Sequence, residues 1–334
     1  DDNRHMVTLA GSRAGKTATS LLSNLLTWDG SVIAIDPKGE LATNTAAHRA
    51  ALGQDVFILD PFGEVTGEAA KYRTTFNPLD ELNAADPDTV IDEAAAIAEA
   101  MIVADGRSVD HWTLSAKNLI RGLILYDLHM NGKDASLVNL RSLLTAPLGD
   151  EDNPPPESSR IDLSTHFELM MGHEEAFEGV VAGVGGTMAG KPKNERGSIV
   201  STAVEQTAFL DSIPLKRHIG EHGLTSLRVL KHKPTTIYLV LPASRMASHF
   251  RWLRLILTLA MNALERARNA TGQPVLFLLE EFPTLGHMRQ IEAAAGLMAG
   301  YDVKLWTVLQ DLSQIKALYP NSWETFLGNA GVVE

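Results

Sequence analysis

Near the start of the chain, Ala10-Gly11-Ser12-Arg13-Ala14-Gly15-Lys16-Thr17 strings together small residues, a lysine and a hydroxyl. That order and spacing suits a loop that wraps phosphate. Small side chains let successive backbone N–H groups point at phosphate oxygens, the lysine answers the charge, and the threonine hydroxyl reaches Mg²⁺. Gly11, Ser12, Arg13, Ala14, Gly15, Lys16 and Thr17 are therefore the expected phosphate contacts, with Lys16 also assisting catalysis. The usual pattern opens on Gly, and here Ala10 stands there; the exchange matters only if the backbone needs positive φ. A second segment, Gly185-Gly186-Thr187-Met188-Ala189-Gly190-Lys191, fits the spacing outright. Pro192 follows it, with neither hydroxyl nor N–H, and a helical rather than a strand pattern precedes it. We read it as a flexible loop with no phosphate role.

Hydrolysis of a bound nucleoside triphosphate needs a carboxylate for the Mg²⁺ shell and a group that orients the attacking water. Val275 to Leu279 is an apolar run ending in Glu280-Glu281. By position Glu280 would hold Mg²⁺ and Glu281 would orient the nucleophile. Two acids at a strand exit also arise from solvent exposure alone; pairing with the phosphate loop favours the functional reading. Gln310 closes the next apolar run, where an amide that donates and accepts suits a γ-phosphate sensor or an ordinary polar strand end. Asp36, in Asp36-Pro37-Lys38-Gly39-Glu40, sits at another strand end. That rim is where open α/β sheets bind ligands, and the alternative is a Pro-Gly turn with solvated charges.

The elements that must position these residues follow from periodicity. Met6 to Ala10, Ser31 to Asp36, Asp55 to Asp60, Thr236 to Leu241, Val275 to Leu279 and Val303 to Leu309 are short apolar runs of strands buried on both faces. Ala18 to Leu26 and Ser248 to Arg268 have helical spacing. The pattern predicts an α/β fold with a mainly parallel sheet joined by right-handed crossovers. Between residues 83 and 210 the strand signals fade and helices are expected over 88–103, 115–130, 167–182 and 198–210. The expected division is a discontinuous nucleotide domain, 1–82 and 211–334, interrupted by an all-α insertion, 83–210. No internal repeat stands out.

Composition narrows the class. The 334 residues are 45% hydrophobic, which supports a sizeable core. There are no cysteines, excluding disulfides and thiolate metal sites. The formal net charge is −12 and the sequence pI about 5.4, against a simple DNA-binding module. Lys191, Lys193 and Arg196, and Lys216-Arg217-His218, are local basic clusters that could touch a DNA backbone, although solvated surface is their commoner origin. His111-Trp112 reads as a packed helix start. No apolar run reaches the ~20 residues that span a bilayer, and both ends look cut.

Several segments together resemble one family. Asp36 to Glu40, Phe76-Asn77-Pro78-Leu79, Glu281-Phe282-Pro283-Thr284-Leu285-Gly286, Gln310-Asp311-Leu312-Ser313-Gln314 and Gly328-Asn329-Ala330 are similar, in order and spacing, to signatures of type IV secretion coupling proteins of the TraG/TraD kind. The resemblance implies a RecA-like P-loop ATPase with an all-α insertion that meets cargo, using ATP and Mg²⁺. It implies a homo-hexamer at the cytoplasmic face of the bacterial inner membrane, anchored by N-terminal helices outside this sequence. It implies partners among channel components, relaxases or effector proteins, and single-stranded DNA. Glu280 departs from the family's usual Asp. An arginine finger is not placed, and Arg251 and Arg254 read better as helix surface. A nucleotide-binding receptor for protein effectors is the main alternative, and a P-loop kinase a more distant one without a recognisable acceptor motif.

Overall fold

The structure, a computed structural model, describes residues 4–11, 15, 17–83, 86–103, 111–149, 161–297 and 302–334. The apolar runs become strands β1 (His5–Leu9), β2 (Val32–Asp36), β3 (Asp55–Leu59), β5 (Thr235–Val240), β6 (Val275–Leu279) and β7 (Val303–Leu309), joined by the short β4 (Arg73–Thr74) and β8 (Ala330–Val333). They form one eight-stranded sheet in the order β4-β3-β5-β2-β6-β7-β1-β8. Every pairing is parallel. Every residue of β5, β2 and β6 is buried, because helices cover both faces and an alternating polar pattern has nowhere to face water. The fold is α/β, a RecA-like sheet with an inserted helical region.

The chain divides into two compact units. One comprises residues 1–76 and 223–334, the other Asn77–His222. In the first, Leu224 N–H donates to Thr75 O at 2.8 Å, and a Cβ on Gly223 would fall 2.7 Å from Thr75 O, so the returning chain lies directly against the departing one. In the second, Asp80 and His222 meet at 2.8 Å and close its two ends.

The second unit has no strand among its described residues. Its main helices are Pro87–Met101, His111–Asn131, Leu137–Leu144, Leu163–Met171, Val180–Ala189, Lys193–Gln206 and Ile213–Ile219. The single helix expected over 167–182 is broken in two, because Phe177, Glu178 and Gly179 all take positive φ between the halves. The glycine-rich segment after 185 is not a loop. It continues the helix Val180–Ala189, and a Cβ on Gly185 would sit 2.6 Å from Phe167 O. Glycine there buys close helix contact, which explains a phosphate-loop spacing without phosphate geometry.

Two buried groups shape the first unit. Arg49, fully buried, donates to Leu25 O (2.5 Å), Trp28 O (2.9 Å), Gly30 O (2.8 Å) and Thr236 Oγ1 (2.5 Å). It thus ties the C-terminal end of the helix Leu22–Thr27 to β5, where a cation also suits the helix dipole. Burial lowers its pKa. Residues 254–264 lie in the helix Ala243–Arg266 and are buried on nearly every side. No helix among the described residues is long and apolar enough to cross a membrane.

Candidate functional site

The strand order β2-β6-β7-β1 lines up four chain segments along the carboxyl edge of the sheet. They are Asp36 at the end of β2, Glu280-Glu281 after β6, Gln310 after β7, and residues 10, 11, 15 and 17 after β1. Parallel strands about 4.8 Å apart place such ends in one row, the rim where this class of sheet binds ligands. Register carries the row across, with Leu279 opposite Thr307 and Leu309 opposite Leu9.

Of the loop, Ser12, Arg13, Ala14 and Lys16 lie outside the described residues. Ala10 is not among the positive-φ residues, so alanine costs nothing in conformation there. The left-handed position is Gly15, at φ 80°, where glycine is the natural choice. Gly11 is exposed, and a Cβ added there would meet nothing within 4 Å. The following helix opens with a π-helical turn, Thr17–Leu21, before the α-helix Leu22–Thr27. Gly15 O accepts from both Thr19 N–H and Thr19 Oγ1 at 3.0 Å. The helix start thus faces the row, where its N–H groups and dipole favour an anion.

Thr17 Oγ1 donates to Glu280 Oε1 at 3.2 Å. Two hard oxygen donors thus converge beside a helix N-terminus, a donor set that suits Mg²⁺. Glu280 leaves β6 and meets Thr17 beyond β1, with β7 lying between those strands in the sheet. Its extra methylene relative to Asp lengthens the arm available for that reach.

Glu281 adopts a left-handed backbone, φ 56° and ψ 36°. A non-glycine residue pays on the order of 1–2 kcal/mol for that conformation, and such strain concentrates where geometry serves chemistry. Its carbonyl accepts from Thr284 N–H at 2.9 Å, starting the 3₁₀ turn Phe282–Leu285. Gln310 is exposed, and its N–H donates to Gln314 Oε1 at 2.9 Å. Asp311 caps the next helix, Leu312–Leu318, accepting from Ser313 and Gln314 N–H.

Asp36 is 1% exposed. Its carboxylate accepts from Ala42 N–H at 2.8 Å and from the N–H groups of Lys38, Glu40 and Leu41. Burial nevertheless outweighs these bonds and pushes its pKa up to about 6. Lys38 is exposed, 3.9 Å from Glu40. Asp60, after β3, has the same arrangement: it accepts from Gly63, Glu64 and Val65 N–H and pairs with Arg73 at 3.5 Å. The two turns share the sequence Asp-Pro-x-Gly-Glu, at 36–40 and 60–64, and both glycines have positive φ. That short duplication is the signal from which the role of Asp60 was readable.

Other expected features lie elsewhere. Among the basic clusters, Lys191 pairs with Glu195, Lys216 lies 3.5 Å from Asp211, and Arg196 and His218 are buried. His111 starts its helix and meets Trp112 edge to face at 5.3 Å, leaving Trp112 partly exposed. Arg254 is buried rather than on a helix surface, and donates to Leu285 O and His287 O at 2.6 and 2.8 Å.

Known proteins show the same architecture. The profile of a family described as Type IV secretory system Conjugative DNA transfer matches residues 1–333. The conjugal transfer protein TraG of Escherichia coli is 24% identical over 327 residues, covering 94% of this chain and 49% of TraG. Protein VirD4 of Agrobacterium fabrum is 27% identical over 331 residues, covering 98% and 46%. The chain thus spans about half the length of these relatives. The plasmid coupling protein TrwB, solved in complex with ADP and Mg²⁺, superposes with a TM-score of 0.70 at 13% identity, over 99% of this chain and 70% of TrwB.

Proposed function

Because the chain belongs to the type IV secretory system conjugative DNA transfer family, we propose that it is the nucleotide-hydrolysing part of a coupling protein. It would deliver DNA–relaxase complexes or protein substrates to a secretion channel at the cytoplasmic face of the inner membrane. The observation that carries this reading is the Thr17–Glu280 hydrogen bond, which joins a phosphate-type loop to an acidic strand end.

In this reading, ATP lies along the carboxyl edge. N–H groups of residues 11–17 and the helix start receive its phosphates, and Lys16 balances their charge. Thr17 and Glu280 would hold Mg²⁺, which when bound neutralises charge on the phosphates. Glu281, on its strained turn, orients the attacking water and accepts its proton. Gln310, exposed at the end of β7, would sense the γ-phosphate. Asp36 supports the rim through the turn it closes. The discontinuous sheet domain and the helical insertion divide the labour, hydrolysis in one and cargo contact in the other, within a homo-hexamer.

The test is phosphate release by the full chain with and without single-stranded DNA. Lys16→Ala is expected to lower turnover by about two orders of magnitude; unchanged turnover would move the site elsewhere. The net charge of −12 favours a second reading, a nucleotide-switched receptor for protein effectors. It predicts turnover indifferent to DNA.

A further inference from the structure

We infer that Arg254 and Tyr319 are positioning residues that hold Glu281 in its left-handed conformation, an inference resting on Glu281 being the water-orienting carboxylate. The turn that begins at Glu281 and ends near Met288 carries two positive-φ residues, Glu281 and Gly286. Its own bonds, Thr284 N–H to Glu281 O and Gly286 N–H to Pro283 O, form a tight turn but leave the carbonyls of Leu285 and His287 to find donors. Arg254 supplies both from one nitrogen. Nη1 reaches Leu285 O at 2.6 Å and His287 O at 2.8 Å, from the buried helix Ala243–Arg266. A Cβ on Gly286 would fall 3.7 Å from that nitrogen, so guanidinium and backbone are in contact.

Tyr319 grips the turn from the other side. Its hydroxyl accepts from Met288 N–H at 3.1 Å, and its ring lies parallel to Phe282, 3° apart in plane with centroids at 6.0 Å. Burial pushes the Tyr319 phenol well above its ordinary range, keeping it a neutral hydroxyl. Phe326 backs the stack, 4.9 Å from the Tyr319 ring. Phe282 directly follows Glu281, so both grips act within the turn that carries the carboxylate. A strained residue persists only where its surroundings over-determine it. Here the surroundings are one guanidinium from the helix Ala243–Arg266 and one buried phenol just past the helix Leu312–Leu318.

The test uses the full chain and four variants: Tyr319→Phe, which removes only the hydroxyl, Arg254→Met, Arg254→Lys and Glu281→Ala. Turnover, ATP affinity and amide exchange across residues 281–288 are measured for each. Tyr319→Phe and Arg254→Met are expected to lower kcat about 10- to 100-fold, the scale of a misplaced catalytic group, with ATP affinity held within about twofold and exchange at Gly286 and Met288 accelerated. Arg254→Lys recovers part of kcat. The double variant Glu281→Ala with Arg254→Met is no slower than Glu281→Ala alone, because the arginine acts only through the carboxylate. Normal kcat in Arg254→Met and Tyr319→Phe, or losses that add to that of Glu281→Ala, would overturn the proposal while leaving Glu281 in place. Full turnover in Glu281→Ala would instead remove the role of Glu281 itself, and the proposal with it.

Discussion

Thr17 and Glu280 are 263 residues apart in the chain and meet in one hydrogen bond of 3.2 Å. The hydroxyl comes from the first helix of the fold and the carboxylate from the sixth strand. Their meeting depends on β7 being laid between β6 and β1. It also bears on the choice of glutamate at position 280, since the shorter side chain of an aspartate would lose roughly 1.5 Å of reach.

Glu280→Gln should weaken Mg²⁺-dependent nucleotide binding at least about tenfold, since one ionic oxygen donor is lost, and leave Mg²⁺-free binding unchanged. Titration of a fluorescent ADP with and without Mg²⁺ reads both. Equal Mg²⁺ effects in the two proteins would dissociate Glu280 from the metal.

The buried Asp36 predicts a pH dependence of stability. Its folded pKa, raised from 3.8 to about 6, means that the folded chain holds this proton more tightly than the unfolded chain. Its contribution is therefore full below about pH 4 and is lost as pH rises through 6, by on the order of 3 kcal/mol. Asp36→Asn removes the titrating group. Urea midpoints between pH 4.5 and 7 should fall more steeply in the wild type than in the variant; parallel slopes would contradict the assignment.

Arg49 is held by three carbonyls and a threonine hydroxyl, with no carboxylate bonded to it among the described residues. Arg49→Met fills the volume but leaves those carbonyls buried without a donor, at a cost of roughly 3–5 kcal/mol. Arg49→Lys should recover less than half, because one ammonium cannot span the same acceptors. Chemical denaturation gives both values.

Two glycines on one helix give a paired prediction. Gly185→Ala forces a methyl towards Phe167 O, 2.6 Å from the ideal Cβ position, and should cost about 1–3 kcal/mol. Gly183→Ala meets nothing within 4 Å and should be neutral or stabilising by up to ~1 kcal/mol through helix propensity. Lys191→Ala should leave nucleotide affinity unchanged, in contrast to Lys16→Ala.

Much of the sheet was legible because its strands are buried on both faces, so Val32–Asp36, Val275–Leu279 and Val303–Leu309 read as unbroken apolar runs. The two residues of β4 carry no period and were not. The helix Glu40–Ala51, rich in alanine and threonine, has too weak an apolar stripe to be located. Glu280-Glu281 stood out by type and place, yet nothing in a glutamate announces positive φ; that conformation comes from the turn around it. Arg254 was misjudged because a cation in a helix usually faces water. Here the helix is covered on nearly every side, and two distant backbone carbonyls supply the partners. The glycines near 185 misled in the opposite sense, since close helix packing and phosphate binding draw on the same small residue.

The placement of β1 has a consequence for biogenesis. This strand is made before the helical unit, yet both its neighbours, β7 and β8, come after that unit, within residues 303–334. Through synthesis of the whole helical unit and the strands after it, an apolar strand waits with both edges unpaired, the condition that invites wrong pairing. Closure of the sheet around β1 is thus a late, long-range event. Thr17 acquires its partner Glu280 only after the helical unit has been made, so a nascent chain halted within residues 77–222 carries the hydroxyl without its carboxylate.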